Sequence, residues 1–100
     1  MPKKIFSYEE AAALLPSVQL LTADAVAVLD GLTDETPPSE YETVVQRWAN
    51  DVMSMGIEVK GLWLIDFDNG SGYYCWKHPE ESLQYFHGYD EGFQGRVKLQ

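Results

Sequence analysis

The sequence predicts an α+β fold: an antiparallel helical hairpin packed on a three-stranded antiparallel β-meander. Three observations carry this. Apolar residues recur with a period near 3.6 from Ala11 to Leu32 and again from Tyr41 to Met55. The pattern then switches to alternation from Val59. The run Asp68-Asn69-Gly70-Ser71-Gly72 is a hairpin turn, because Asn and Gly accept positive φ.

The first helix is announced by Ser7-Tyr8-Glu9-Glu10, a capping box with Phe6 at the staple position. Its stripe is Ala11, Leu14, Leu15, Val18, Leu21, Ala25, Val28, Leu29 and Leu32. Pro16 lies inside that stripe. Proline removes a hydrogen bond and clashes with the preceding turn, so a kink, or a break near Leu15, is expected. Residues 31–39, with Asp34, Pro37 and Pro38, read as a loop. Ser39 with Glu42 reads as a second capping box, and Tyr41, Val44, Val45, Trp48, Val52 and Met55 share one face of the second helix. Gly56 is the left-handed stop. The predicted divisions of this single domain are a helical hairpin over about residues 7–56, a meander over about 59–87, and an irregular, ordered tail over 88–100.

The strands are expected over 62–68, 73–77 and 83–87. With a hairpin loop of two or four residues followed by a five-residue turn, strand parity fixes the faces. Trp63, Ile65, Phe67, Tyr74, Trp76 and Phe86 share an apolar face that should receive the helices. Leu62, Leu64, Asp66, Tyr73, Cys75, Lys77, Tyr85 and His87 share the other.

Charge and cysteine content bound the function. The formal net charge of −9 includes no basic stripe to replace phosphate counterions, so neither nucleic acid nor an anionic membrane surface is an expected partner. The single cysteine suits a reducing compartment, and the cytoplasm is the expected location. The N-terminus lacks a signal-peptide pattern, and no run is expected to approach the length of a membrane span.

The opening run Phe6 to Ala11 and Leu14-Leu15-Pro16-Ser17-Val18, the connector Gly56 to Gly61 with Ile65-Asp66-Phe67, and the closing set Cys75-Trp76-Lys77, Glu80, Phe86-His87, Gly92-Phe93 and Gly95-Arg96 stand in a specific order. In that order they resemble an uncharacterised prokaryotic family, domain of unknown function 2203. The chain departs from the family's pattern at Phe86 and Pro79. The resemblance implies a small helical hairpin with a β-meander. It implies no activity.

Chemistry concentrates in residues 63–93, which hold nine of the thirteen aromatics, Cys75, His78 and His87. Asp66, Cys75 and His87 are competent transition-metal ligands on one sheet face, although no paired ligands at short spacing accompany them. Against this stands a bland arrangement: a buried thiol acting as a small hydrophobe, with His87 bonded to Asp66 or a tyrosine. A Cys75–His87 nucleophile and base is disfavoured by the acidic surroundings. Glu80-Glu81 and Asp90-Glu91 read as solvated loop pairs. Arg96, beyond two glycines, is placed either to grip an anion or to pin the tail through Asp90 or Glu91.

The expectation is a non-enzymatic, homodimeric binding or assembly module, joined through the outer sheet face, the helices or both. No cofactor is predicted. The alternative is a small-molecule or metal site, catalytic or purely binding, around Asp66, Cys75 and His87, with Tyr73, Tyr85 and Arg96 as further ligand-binding candidates.

Overall fold

The computed structural model describes residues 4–99. Helix α1 spans Tyr8–Asp30 and α2 spans Pro38–Met53. Strands β1 (Glu58–Gly61), β2 (Leu64–Asp68), β3 (Tyr73–Lys77), β4 (Tyr85–His87) and β5 (Val97–Lys98) follow, with a 3₁₀ turn at Phe93–Gly95 before the last. The class is α+β. The sheet is antiparallel in the order β1-β2-β3-β4-β5, so the expected three strands become five.

Each helix start has a local cause. Ser7 Oγ accepts from the Glu10 amide at 3.1 Å while Glu10 Oε1 accepts from the Ser7 amide at 2.9 Å, the reciprocal box read from the sequence. Ser39, in contrast, does not cap α2. Pro37 is the cap and Pro38 the first helical residue, its φ pre-set and its missing N–H one that needed no partner.

The expected break at Pro16 is absent, and α1 runs through it for 23 residues. Pro16 faces solvent, so the Ala12 carbonyl it leaves unpaired lies toward the wet side of the helix. The expectation that no run approaches a membrane span is corrected as well: with a window of mean hydropathy 1.7, α1 is long and apolar enough by length and composition. Here it is a packing helix. It buries Ala11, Leu15, Val18, Thr22 and Ala25, and Thr22 Oγ1 accepts from the Trp48 indole at 2.8 Å while donating to the Val18 carbonyl at 2.7 Å.

The chain from Leu62 to Asp68 is not one strand. Leu62 and Trp63 form the turn between β1 and β2, with Trp63 at φ +58°. That rare conformation is held from two sides, by Trp48 edge-on to its ring at 4.8 Å and by the His78 amide donating to its carbonyl at 3.0 Å. The next loop has four residues, Asn69 to Gly72, since Asp68 pairs with Tyr73. The register then sets Asp66 opposite Cys75 and Cys75 opposite Tyr85, and Tyr73 opposite His87. Ile65, Phe67 and Trp76 join Phe6, Leu15, Val18, Trp48 and Val52 in the core. Asp66, Tyr73, Cys75 and His87 share the opposite face.

Candidate functional site

That opposite face is not bare. After β4 the chain turns back across it, and the tail expected to be irregular supplies the 3₁₀ turn and β5. Arg96 is the fastener. Its guanidinium stacks 4.0 Å from the Tyr85 ring centroid and 3.9 Å from that of Phe93. It meets the Glu80 carboxylate at 2.8 and 3.0 Å and approaches Cys75 Sγ at 4.0 Å. Arg96 therefore pins the tail, but through Glu80 rather than Asp90 or Glu91. Glu80 is correspondingly no solvated loop carboxylate, since it also accepts from the Lys77 amide at 2.8 Å.

Beneath the tail, three donors from three adjacent strands converge: Asp66 of β2, Cys75 of β3 and His87 of β4. All are at least 96% buried, and one ligand atom from each lies within 4.8 Å of the others. His87 is fixed at both nitrogens. Nδ1 is 2.9 Å from the Gly88 carbonyl and Nε2 is 2.9 Å from Asp66 Oδ2. A carbonyl only accepts, so Nδ1 carries a proton. Nε2 then either donates to the carboxylate as part of an imidazolium or, in the neutral ring, presents a lone pair to it. The other carboxylate oxygen, Asp66 Oδ1, is buried and receives no N–H or O–H among the described residues, while the Cys75 thiol hydrogen-bonds the same carboxylate.

The same geometry bears on thiol chemistry. As it stands Cys75 has no histidine nitrogen turned to it as a base, since Nδ1 of His87 faces the Gly88 carbonyl and Nε2 faces Asp66 Oδ2. Burial, then the neighbouring Asp66 carboxylate, push the Cys75 thiol up to about 12, against a smaller opposing pull from Arg96. A thiol so placed stays protonated at neutral pH unless something more positive replaces the proton.

A cavity of about 430 Å³ opens beside the three donors. Asp66, Tyr73, Cys75 and His87 line it from the sheet, and Lys60 and Leu64 from its β1 side. Tyr89, Glu91, Gly92 and Phe93 close it from the tail. Of the residues singled out in the sequence, four therefore form the cavity wall, whereas Tyr85 and Arg96 stand behind Cys75 as its support. Lys60 was missed because β1 was not recognised as a strand. Its ammonium pairs with Glu58 at 3.0 Å and sits 4.7 Å from the Tyr73 ring centroid. The hydrogen bond to Glu58 chiefly raises its pKa, with Asp66 contributing a smaller pull. The Tyr73 hydroxyl donates to the same Glu58 at 3.2 Å, and the Tyr89 hydroxyl donates to Asp68 at 2.7 Å.

Comparison with known proteins adds the family and nothing on activity. No curated protein matches the chain, and no solved structure matches it. The family described as "Uncharacterized conserved protein (DUF2203)" matches residues 32–99, a span that holds α2, the whole sheet, Asp66, Cys75, His87 and Arg96. The match covers more than half of the chain, and the protein belongs to this family of uncharacterized conserved proteins.

Proposed function

We propose that the protein binds a divalent transition-metal ion, zinc being the best fit, through Asp66, Cys75 and His87. The observation that carries this reading is the crowding of electron pairs in a dry place. Asp66 Oδ1 is buried with no N–H or O–H donor, only the weakly donating Cys75 thiol hydrogen-bonds that carboxylate besides His87, and His87 has its Nδ1 proton committed to a backbone carbonyl. Metal-bound histidines are typically oriented by such a carbonyl contact, which leaves Nε2 to the ion. One thiolate, one imidazole and one carboxylate form a borderline-soft set suited to zinc. In a tetrahedral zinc site neighbouring ligand atoms are about 3.3–3.8 Å apart. The spacing here, from 2.9 Å to within 4.8 Å, brackets that range, so side-chain rotations rather than backbone movements suffice. Three protein ligands beside a cavity is the open format, in which the fourth position takes water or another small ligand.

Zinc at a hundredfold excess over its dissociation constant would add about 2.7 kcal/mol of stability. For a domain of this size that raises the melting temperature by roughly 10 °C or more. Thermal denaturation of a chelated sample with and without zinc is the test. His87→Ala should abolish the shift, and an unshifted wild-type protein would contradict the reading.

A second reading, assembly as a homodimer, is favoured by the outward face of α1. With the outer sheet face covered by the tail, the helices remain as the contact. Ala13, Pro16, Ser17, Leu20, Ala23 and Ala27 are exposed along one side of α1, and residues 11–23 include no charged side chain. On a chain of net charge −9 the part of this face over residues 11–23 is a surface on which two copies meet with little like-charge repulsion, Asp24 being the first charged residue beyond it.

A further inference from the structure

We propose that the cavity beside Asp66, Cys75 and His87 takes a small monoanionic organic acid, with its carboxylate toward the metal position and Lys60 and its apolar body against Tyr89 and Phe93. The inference rests on the metal reading and extends it to a ligand class.

Charge selects the sign. A divalent ion held by the Asp66 carboxylate, the Cys75 thiolate and neutral His87 has no net charge, and its open position accepts one further anionic donor at low electrostatic cost. Lys60 is the cation of the cavity wall. Besides Asp66, two carboxylates stand at this cavity: Glu58, which pairs with Lys60 and accepts from the Tyr73 hydroxyl, and Glu91 in the wall, which accepts from the Gly88 amide at 2.9 Å. A ligand with two negative charges is disfavoured beside them, so phosphate is the poorer ligand.

Shape and polarity select the body. Beyond the donors and the charged Lys60 and Glu91, the wall is Leu64, Tyr73, Tyr89 and Phe93, with Gly92 adding no side chain. Tyr73 and Tyr89 meet edge-to-face at 5.1 Å, and Arg96 braces the Phe93 ring. These are rigid aromatic surfaces of the kind that receive a flat apolar group. At about 430 Å³ the cavity lies near the small end of the usual range for ligand sites, which suits a compact acid.

Cobalt(II) in place of zinc makes the site visible, and benzoate, acetate and phosphate serve as probes on the whole chain. The expected result is one cobalt per chain with a thiolate-to-cobalt charge-transfer band, and a saturable change in the visible bands on adding benzoate. Acetate, which lacks the apolar body, should bind at least about tenfold more weakly, and phosphate weaker still. Lys60→Gln should keep cobalt stoichiometry and weaken benzoate by about tenfold. If cobalt binds but benzoate leaves the spectrum unmoved, or if acetate or phosphate binds as well as benzoate, the ligand class is wrong while the metal site stands. If Lys60→Gln binds benzoate unchanged, the assignment of Lys60 is overturned. Failure to take up cobalt overturns the metal reading itself.

Discussion

At Cys75 the sheet gives a thiol two opposing neighbours. Asp66 lies directly across β2 and resists loss of the proton, whereas Arg96 approaches Sγ from the tail and favours it. Burial and the carboxylate win, and the pKa rises from 9.0 to about 12. The linkage follows with a definite sign. Below pH 9 the thiol is protonated in both folded and unfolded chains, so its contribution is fully present. As pH rises from about 9 toward 12 the unfolded chain releases the proton and the folded chain holds it, so stability falls. Chelated wild-type protein should therefore lose melting temperature between pH 8 and 10.5 more steeply than Cys75→Ala. Parallel curves for the two would contradict this placement of the thiol. The proposed metal would reverse the same balance by displacing the proton, so binding should release acid in a lightly buffered titration.

Residue identities made these candidates legible in the sequence, but their neighbours were not. Asp66, Cys75 and His87 share a face because the Asn69–Gly72 loop has four residues, and Asn-Gly chemistry restricts that length to a few choices. Lys60 and Glu58 were hidden because Leu62-Trp63 alternates with Leu64-Ile65 and so mimics a continuing strand, although Trp63 actually turns the chain at φ +58°. The Arg96–Glu80 pair joins residues far apart in sequence, and no local pattern announces such a contact.

The elements show where local rules yield to packing. Pro16 costs α1 a hydrogen bond, yet the helix continues because its buried stripe, from Ala11 to Ala25, spans the proline on both sides. The proline is thus a stability deficit at an exposed position. Pro16→Ala should stabilise the protein by about 1–3 kcal/mol, read as an increase in the denaturation midpoint with an unchanged slope. A destabilised variant would mean that the ring itself makes an important contact. In the sheet, Gly72 is required by close approach. A Cβ there would lie 2.5 Å from Phe86 Cζ and 2.6 Å from the His87 carbonyl oxygen. Gly72→Ala should cost about 1–3 kcal/mol in a thermal melt, because the end of β4 that carries His87 must move to make room. An unchanged melting temperature would show that β4 is less tightly set than the register implies.

For the whole molecule, the layers divide the labour. The helices and the inner sheet face form one apolar core, and the other sheet face with its returning tail forms the buried polar cluster. The proposed association through α1 would lie on the far side of the sheet from that cluster, so the two proposals are separable. Leu20→Glu, at a position 68% exposed, should convert a dimer to a monomer in sedimentation without altering metal content. A wild-type protein that is monomeric at all concentrations would remove the assembly reading and leave the site untouched. The claim on which most depends is that Asp66, Cys75 and His87 hold a metal ion. Native mass spectrometry of the zinc-equilibrated protein, before and after chelation and beside His87→Ala and Asp66→Asn, tests it most directly. The account predicts one zinc per wild-type chain, removed by chelator and absent from both variants. A wild-type chain that carries no zinc, or variants that carry it equally well, would contradict it.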